Sequence, residues 1–177
     1  MNLDAHVEAL KAAIRDVPDF PKPGILFKDI TTLLQDPILL RRSLDMLAVI
    51  CGDLRVDKVV AIESRGFILG GALAYHLGVG FVPVRKPGKL PWRARKASYA
   101  LEYGSDSLEI HEDAVGPADH VLVVDDVIAT GGTAKAVASL CEGLGAHVSG
   151  YLFLVELCFL NGRERLAGHE VRSLIQY

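Results

Sequence analysis

The feature that most constrains this chain is a strand, a helix and a second strand, written twice. KVVAI at 58–62, ESRGFILGGALAYHLG and VGFVPV form the first set; VLVVDD, GGTAKAVASLCEGLG and HVSGYLFLVEL form the second. Short apolar runs alternating with helical periodicity mark βαβ connections, which need parallel strands. A parallel sheet is covered by helices on both faces, so its strands read as continuous Val, Ile and Leu. With 177 residues and no repeat or linker, the expectation is a single α/β domain over 1–177. Its centre would be a mainly parallel sheet flanked by helices.

The ends of the chain follow other patterns. Leu3, Val7, Leu10 and Ile14 are spaced for one face of a helix, which Pro18, Pro21 and Pro23 would end. DFPKPGILFKDIT, 19–31, then reads as an irregular loop. A second helix is expected from Asp36-Pro37, with Leu40, Leu44, Leu47 and Ile50 inward, so that 1–55 forms a helical cap. Residues 85–97 are basic and interrupted by proline, without helix or strand period. SYALEY and LEIHEDA around Gly-Ser-Asp-Ser read as a hairpin, making 85–110 a mobile hood.

Composition removes several classes of function. Cys51, Cys141 and Cys158 are far apart, with no CxxC and no His at ligand spacing, so they read as buried thiols rather than metal ligands. A net charge of −3 argues against nucleic acid as the main partner. No apolar run approaches the roughly 20 residues a membrane span needs, and MNLDAHVEALKAAIRD is amphipathic rather than a signal core. A cytoplasmic protein without a membrane partner is expected.

The chemistry concentrates in VLVVDDVIATGGTAKAV, 121–137. Ligands of open α/β sheets bind beyond the carboxyl ends of strands, where helix N-termini point. There, Gly131 and Gly132 let backbone approach a phosphate, and Thr130 and Thr133 add hydroxyls to the amides of the next helix. The helix dipole supplies only about half a charge, so direct hydrogen bonds must do most of the holding. Neither GxxxxGK[ST] nor GxGxxG is present, and Asp125-Asp126 would repel a polyphosphate. A phosphorylated ribose fits better: the two acids accept bonds from its hydroxyls and help hold a hydrated Mg²⁺. The bland alternative is a helix capped by Gly-Gly-Thr after a turn at Asp126.

VVDDxxATGGT resembles the phosphoribosyl-diphosphate (PRPP) signature of the type I phosphoribosyltransferases. DFPKPGILFKDIT, ESRGF, VRKPGKLP, LEYG and LVEL are similar, in order and spacing from about residue 18 onward, to the members that use adenine. The resemblance implies the type I phosphoribosyltransferase fold and a pentosyl transfer from PRPP to adenine, giving AMP and diphosphate with Mg²⁺, as in purine salvage. It implies phosphate binding by Ala129, Thr130, Gly131, Gly132 and Thr133, and ribose binding by Asp125 and Asp126. Mg²⁺ would be held by PRPP, waters and these two acids, with no direct protein site. Diphosphate would meet Arg65, Arg85, Lys86, Lys89 and Tyr103. Adenine would meet Leu26, Phe27, Lys28 and Leu157, and Glu102 would handle the proton of the attacking nitrogen. Homodimers are usual in the family.

The residues also leave rivals. Phe27 serves a core as readily as a base pocket, Arg65 suits a surface salt bridge, and Glu102 suits a strand facing water. Arg93, Arg95 and Lys96 read as a solvated loop. A PRPP-binding regulator of transcription would need a DNA-reading module, and no helix-turn-helix spacing precedes the first strand. A sister enzyme for 6-oxopurines is the other alternative.

Overall fold

A computed structural model describes residues 3–100 and 105–177. They fall into two compact units, Met1–Met46 and Leu47–Tyr177.

In the first unit, α1 (Leu3–Ala13) buries Leu10 and half-buries Val7, and Ile14 just past its end is buried, as the spacing predicts for these three; the side chain of Leu3 lies outside the described residues. The loop expected at 19–31 is largely a hairpin instead. β1 (Arg15–Pro18) pairs antiparallel with β2 (Leu26–Asp29), setting Asp16 opposite Lys28 and Val17 opposite Phe27. Pro18 closes β1, and the intervening turn is built on Asp19, at φ 58°, whose carboxylate accepts the Gly24 amide at 2.7 Å. The prolines therefore bound the strands rather than abolish them. α2 (Thr31–Gln35) starts where Asp29 accepts the Thr31 amide at 3.0 Å.

α3 (Pro37–Cys51) begins as expected, with the Asp36 carboxylate accepting the Ile38 and Leu39 amides at 2.8 and 3.0 Å. Its buried stripe differs from the expected one. Ser43, Met46, Leu47, Ala48 and Cys51 are buried, while Leu40, Leu44 and Ile50 are half-buried. Ser43 is not among the apolar residues expected inward; its hydroxyl is satisfied within the helix by the Leu40 carbonyl at 2.8 Å.

The second unit holds the sheet. β3 (Lys58–Ile62), α4 (Arg65–Leu77) and β4 (Gly80–Val84) make the first βαβ set. β5 (Ala94–Ala100) and β6 (Ser105–His111) form an antiparallel hairpin. β7 (His120–Ile128), α5 (Gly132–Gly143) and β8 (His147–Glu156) make the second set, and β9 (Val171–Gln176), which the sequence reading did not foresee, closes the sheet. The order is β4-β3-β7-β8-β9, with every pairing parallel.

Strand alternation puts β3 residues on both faces. Val59 and Ala61 face α4, where Gly70 lets the helix lie close against Ala61. Val60 and Ile62 join Val121, Val123, Val137, Cys141, Leu108 and Ile110 in the core of the other face, beneath α5 and β6. The hairpin's turn differs from the expected Gly-Ser-Asp-Ser. Ser105, Asp106 and Ser107 are strand residues paired with Ala100, Tyr99 and Ser98, and 101–104 lie between the strands, outside the described residues. Arg95 and Lys96, expected in a loop, belong to β5. Of the expected buried thiols, Cys51 and Cys141 are buried but Cys158 is exposed, because it follows β8 in a short 3₁₀ turn (Cys158–Leu160).

Candidate active site

The chain runs from β3 outward to β4, then returns to place β7 on the other side of β3, so the strand order reverses between β3 and β7. Connections leaving the carboxyl ends of two such strands diverge and open a crevice. Residues Glu63–Arg65 leave β3 there, and Ala129–Thr133 leave β7. Gly66 allows the two to meet: a Cβ on it would lie 2.8 Å from Asp125 Oδ1 and 3.2 Å from the Val124 carbonyl.

The segment after β7 forms a cradle of about 90 Å³, lined by Asp125 and by 127–134 with Phe153. One water needs ~10–15 Å³, so a tetrahedral anion has room. Gly131 caps α5 at φ 78°, a left-handed conformation that suits glycine, and the first residues of the helix line the cradle. β7 extends to Ile128, past the end expected at Asp126, because Val127 and Ile128 still pair with Val155 and Glu156.

Asp125 and Asp126 are adjacent on a pleated strand, so their side chains diverge. Asp125 lines the cradle and also a larger cleft of about 350 Å³, whose wall includes Glu63, Ser64, Arg65, Lys86, Tyr99, Asp106, Asp126 and Thr133. Burial and the Asp126 charge both push the Asp125 carboxyl well above the usual carboxylate range. The Asp126 amide donates to Asp125 Oδ1 at 2.9 Å, and the Asp126 carboxylate accepts Arg65 Nε. Arg65 therefore links the turn after β3 to the acids of β7.

The other cations of the expected diphosphate site gather on the same rim, each with an acid. Arg85 Nε and Lys89 Nζ bond the two oxygens of Glu63, both at 2.8 Å, and Lys86 pairs with Asp106. Burial alone would raise the Glu63 carboxyl, but the bonds from Lys89 and Arg85 outweigh it and hold the pKa below the ordinary value. Arg85 also donates to the Lys89 carbonyl at 3.2 Å, and the Gly88 amide donates to Glu109 at 2.9 Å. The start of the expected hood loop is thus a folded turn. Trp92 beyond it is exposed, and Arg95 on β5 reaches the Gly143 carbonyl of α5.

Glu63, Tyr99 and Asp106 are site residues that the sequence reading did not single out. Tyr99 places its hydroxyl at Asp106, 3.4 Å away, and at the Thr133 side chain, joining the hairpin to the cradle. Polar residues inside ESRGF and KASYA carried a signal, but only the sheet order brings them to one rim.

Of the residues expected to meet the base, Leu26, Phe27 and Lys28 lie on β2 in the first unit, and Leu157 follows β8 in the second. Leu26 is exposed, and Phe27 packs edge-on against Phe20 at 5.1 Å. Lys28 Nζ bonds Asp16 across the hairpin at 2.6 Å. Leu157 is half-buried, its amide bonded to the Ile128 carbonyl at 3.0 Å. Glu102 and Tyr103, expected for proton handling and diphosphate binding, lie outside the described residues. Among the described residues, no three His, Cys, Asp or Glu side chains group to hold a metal ion.

The phosphoribosyl transferase domain family matches residues 29–165. The chain is 59% identical to the adenine phosphoribosyltransferase of Carboxydothermus hydrogenoformans over 168 residues, 95% of this chain and 99% of the relative. The adenine phosphoribosyltransferase structure from Thermoanaerobacter pseudethanolicus superposes with a TM-score of 0.95 at 53% identity, covering 97% of this chain and 99% of that one. The Saccharomyces cerevisiae enzyme, solved with an imino-altritol bisphosphate and adenine, superposes at 0.90 with 43% identity, covering 97% and 99%. On sequence and fold alike, the chain belongs to the adenine phosphoribosyltransferase family.

Proposed function

We propose that the enzyme transfers the 5-phosphoribosyl group of PRPP to adenine, giving AMP and diphosphate. The observation that carries this reading is Asp125 lining both the cradle at the start of α5 and the cleft that Arg65 and Lys86 also line. One ligand spanning the two would have a phosphate at one end, a polyol at the acids and a second anionic group at the cations. PRPP has those groups in that order.

In the reading, Ala129–Thr133 hold the 5′-phosphate through amides and hydroxyls. Asp125 and Asp126 accept the ribose hydroxyls, and Arg65, Arg85, Lys86 and Lys89, with Tyr103, meet the diphosphate. Leu26, Phe27, Lys28 and Leu157 take the adenine edge and faces. N9 of adenine forms the new bond to C1 as the C1–O bond to diphosphate breaks, and the N9 proton passes to the Glu102 carboxylate. Positive charge grows on the sugar while negative charge grows on the leaving group, so acids beside the ribose and cations beside the diphosphate both stabilise the transition state.

Mg²⁺ is the proposed cofactor. Among the described residues no three His, Cys, Asp or Glu side chains group together, so the proposal assigns it only the Asp125 and Asp126 carboxylates, which suits an ion that keeps waters and substrate phosphates as its main ligands. It would supply further charge neutralisation at the diphosphate. A homodimer is part of the proposal, supported by Phe159 and Leu160, which are 67% and 37% exposed after β8. Light scattering at twice the monomer mass is the expected result. A reducing, cytoplasmic setting is supported by free Cys51, Cys141 and Cys158.

The test is an assay with PRPP, Mg²⁺ and each purine in turn. AMP from adenine, with no nucleotide from hypoxanthine, is expected; turnover of hypoxanthine and not adenine would overturn the substrate assignment.

A further inference from the structure

The cradle segment is braced from behind by backbone. A Cβ on Gly131 would fall inside the van der Waals shell of the Gly162 carbonyl oxygen, and it would lie 3.2 Å from Gly162 C. In the other direction, a Cβ on Gly162 would collide with the Ala129 carbonyl oxygen and sit 2.9 Å from Ile128 Cγ1. Main chain thus meets main chain twice, at both ends of Ala129–Gly131, with no side chain between. Neither neighbour is the tip of a flexible group that could swing aside.

Gly162 is itself fixed. It is buried, and the next residue, Arg163, makes a two-pronged ion pair with Glu156, Nε to Oε1 at 2.5 Å and Nη2 to Oε2 at 2.7 Å. Arg163 Nη1 also donates to the Val171 carbonyl at 2.6 Å, and the Ser173 hydroxyl donates to Glu156. Glu156 is buried at the end of β8, and Val171 and Ser173 lie on β9. Two rigid strands therefore hold the arginine, and the arginine holds the glycine beside it.

We propose that Gly162, fixed by the Glu156–Arg163 clamp, is a positioning residue that sets the curvature of the phosphate-binding segment without touching substrate. The inference rests on the reading of Ala129–Thr133 as the 5′-phosphate site. A methyl group at 162 would push the Ala129 carbonyl about 1 Å to restore the ordinary C···O separation, and the amides that follow would move with it. A shift of that size in a group that positions substrate costs up to about 10²-fold.

The test uses ribose 5-phosphate as a probe of the phosphate site, titrated calorimetrically into wild-type protein and Gly162→Ala, with steady-state kinetics for both substrates. Gly162→Ala should weaken ribose 5-phosphate and raise the KM for PRPP by about 10- to 100-fold. The KM for adenine should stay within about twofold, a split that general loosening of the fold would not give. If Gly162→Ala does not fold, Arg163→Gln carries the same expectation, and Arg163→Lys should recover part of the loss. A folded Gly162→Ala, or Arg163→Gln in its place, that binds ribose 5-phosphate like wild type overturns the brace alone. Wild-type protein that does not bind ribose 5-phosphate, or binds it equally well as Thr133→Val, overturns the phosphate-site reading and the brace with it.

Discussion

Asp125 sits where burial and the Asp126 carboxylate both oppose its charge, while the ribose it would hold calls for an acceptor. Its folded pKa is raised, so its contribution to stability is full below the ordinary value of about 3.9 and is lost as pH rises through the folded value. Asp125→Asn should therefore raise Tm at pH 8 relative to wild type, with the gap closing on acidification. The same change should weaken PRPP by about 10- to 100-fold, the cost of losing a charged acceptor. Scanning calorimetry at several pH values and a PRPP titration check the two halves. Glu102 calls for a kinetic test, since its proposed role is proton acceptance. Glu102→Gln should lower kcat by about 10²–10⁴-fold and leave the KM for PRPP within a few-fold; unchanged kcat would remove Glu102 from the mechanism.

The turn over Arg85–Lys89 is held to the end of β3 by one acid, Glu63, which engages both Arg85 and Lys89. The cations are partly exposed, so the tether contributes on the order of 1 kcal/mol after solvent screening. Glu63→Gln should accelerate tryptic cleavage after Lys89 by about 3- to 10-fold, because cleavage follows the population of the opened turn. An unchanged rate would show that the turn is held by other contacts. What the sequence could disclose depends on the element. The two βαβ sets were legible because Val59–Ile62 and Val121–Val124 are covered on both faces and carry an unbroken apolar run. β1 was not, since Arg-Asp-Val-Pro has no alternation and is exposed apart from half-buried Val17. The β5–β6 turn was misplaced because Asp106 and Ser107, turn formers by composition, find partners in Lys86 and Ser98 that only the folded chain supplies. The cradle was legible for its glycines and hydroxyls, whereas Glu63 and Tyr99 became site residues only through strand order.

Across the molecule, several acids are held below their ordinary pKa values. Lys86 lowers Asp106 and Lys58 lowers Asp119; for Glu63 and Glu156, hydrogen bonds from basic partners outweigh burial. Depressed values contribute stability that is present above the unfolded pKa values of about 3.9–4.3 and lost as pH falls through the folded ones. Asp125 works in the opposite sense and at higher pH, because its carboxyl is raised well above the usual range. Tm should fall steeply below about pH 4 as the depressed acids protonate, and above about pH 5 it should decline as Asp125 ionises. A Tm that holds level to pH 3 would show that these pairs do not govern acid stability.

The direct test of the whole account is a crystal structure with AMP. The 5′-phosphate should lie within hydrogen-bond distance of the amides of Gly131–Thr133, with the ribose hydroxyls on Asp125 and Asp126. A nucleotide seated away from those residues, or a phosphate bound at Arg85–Lys89 with the cradle unused, would contradict it.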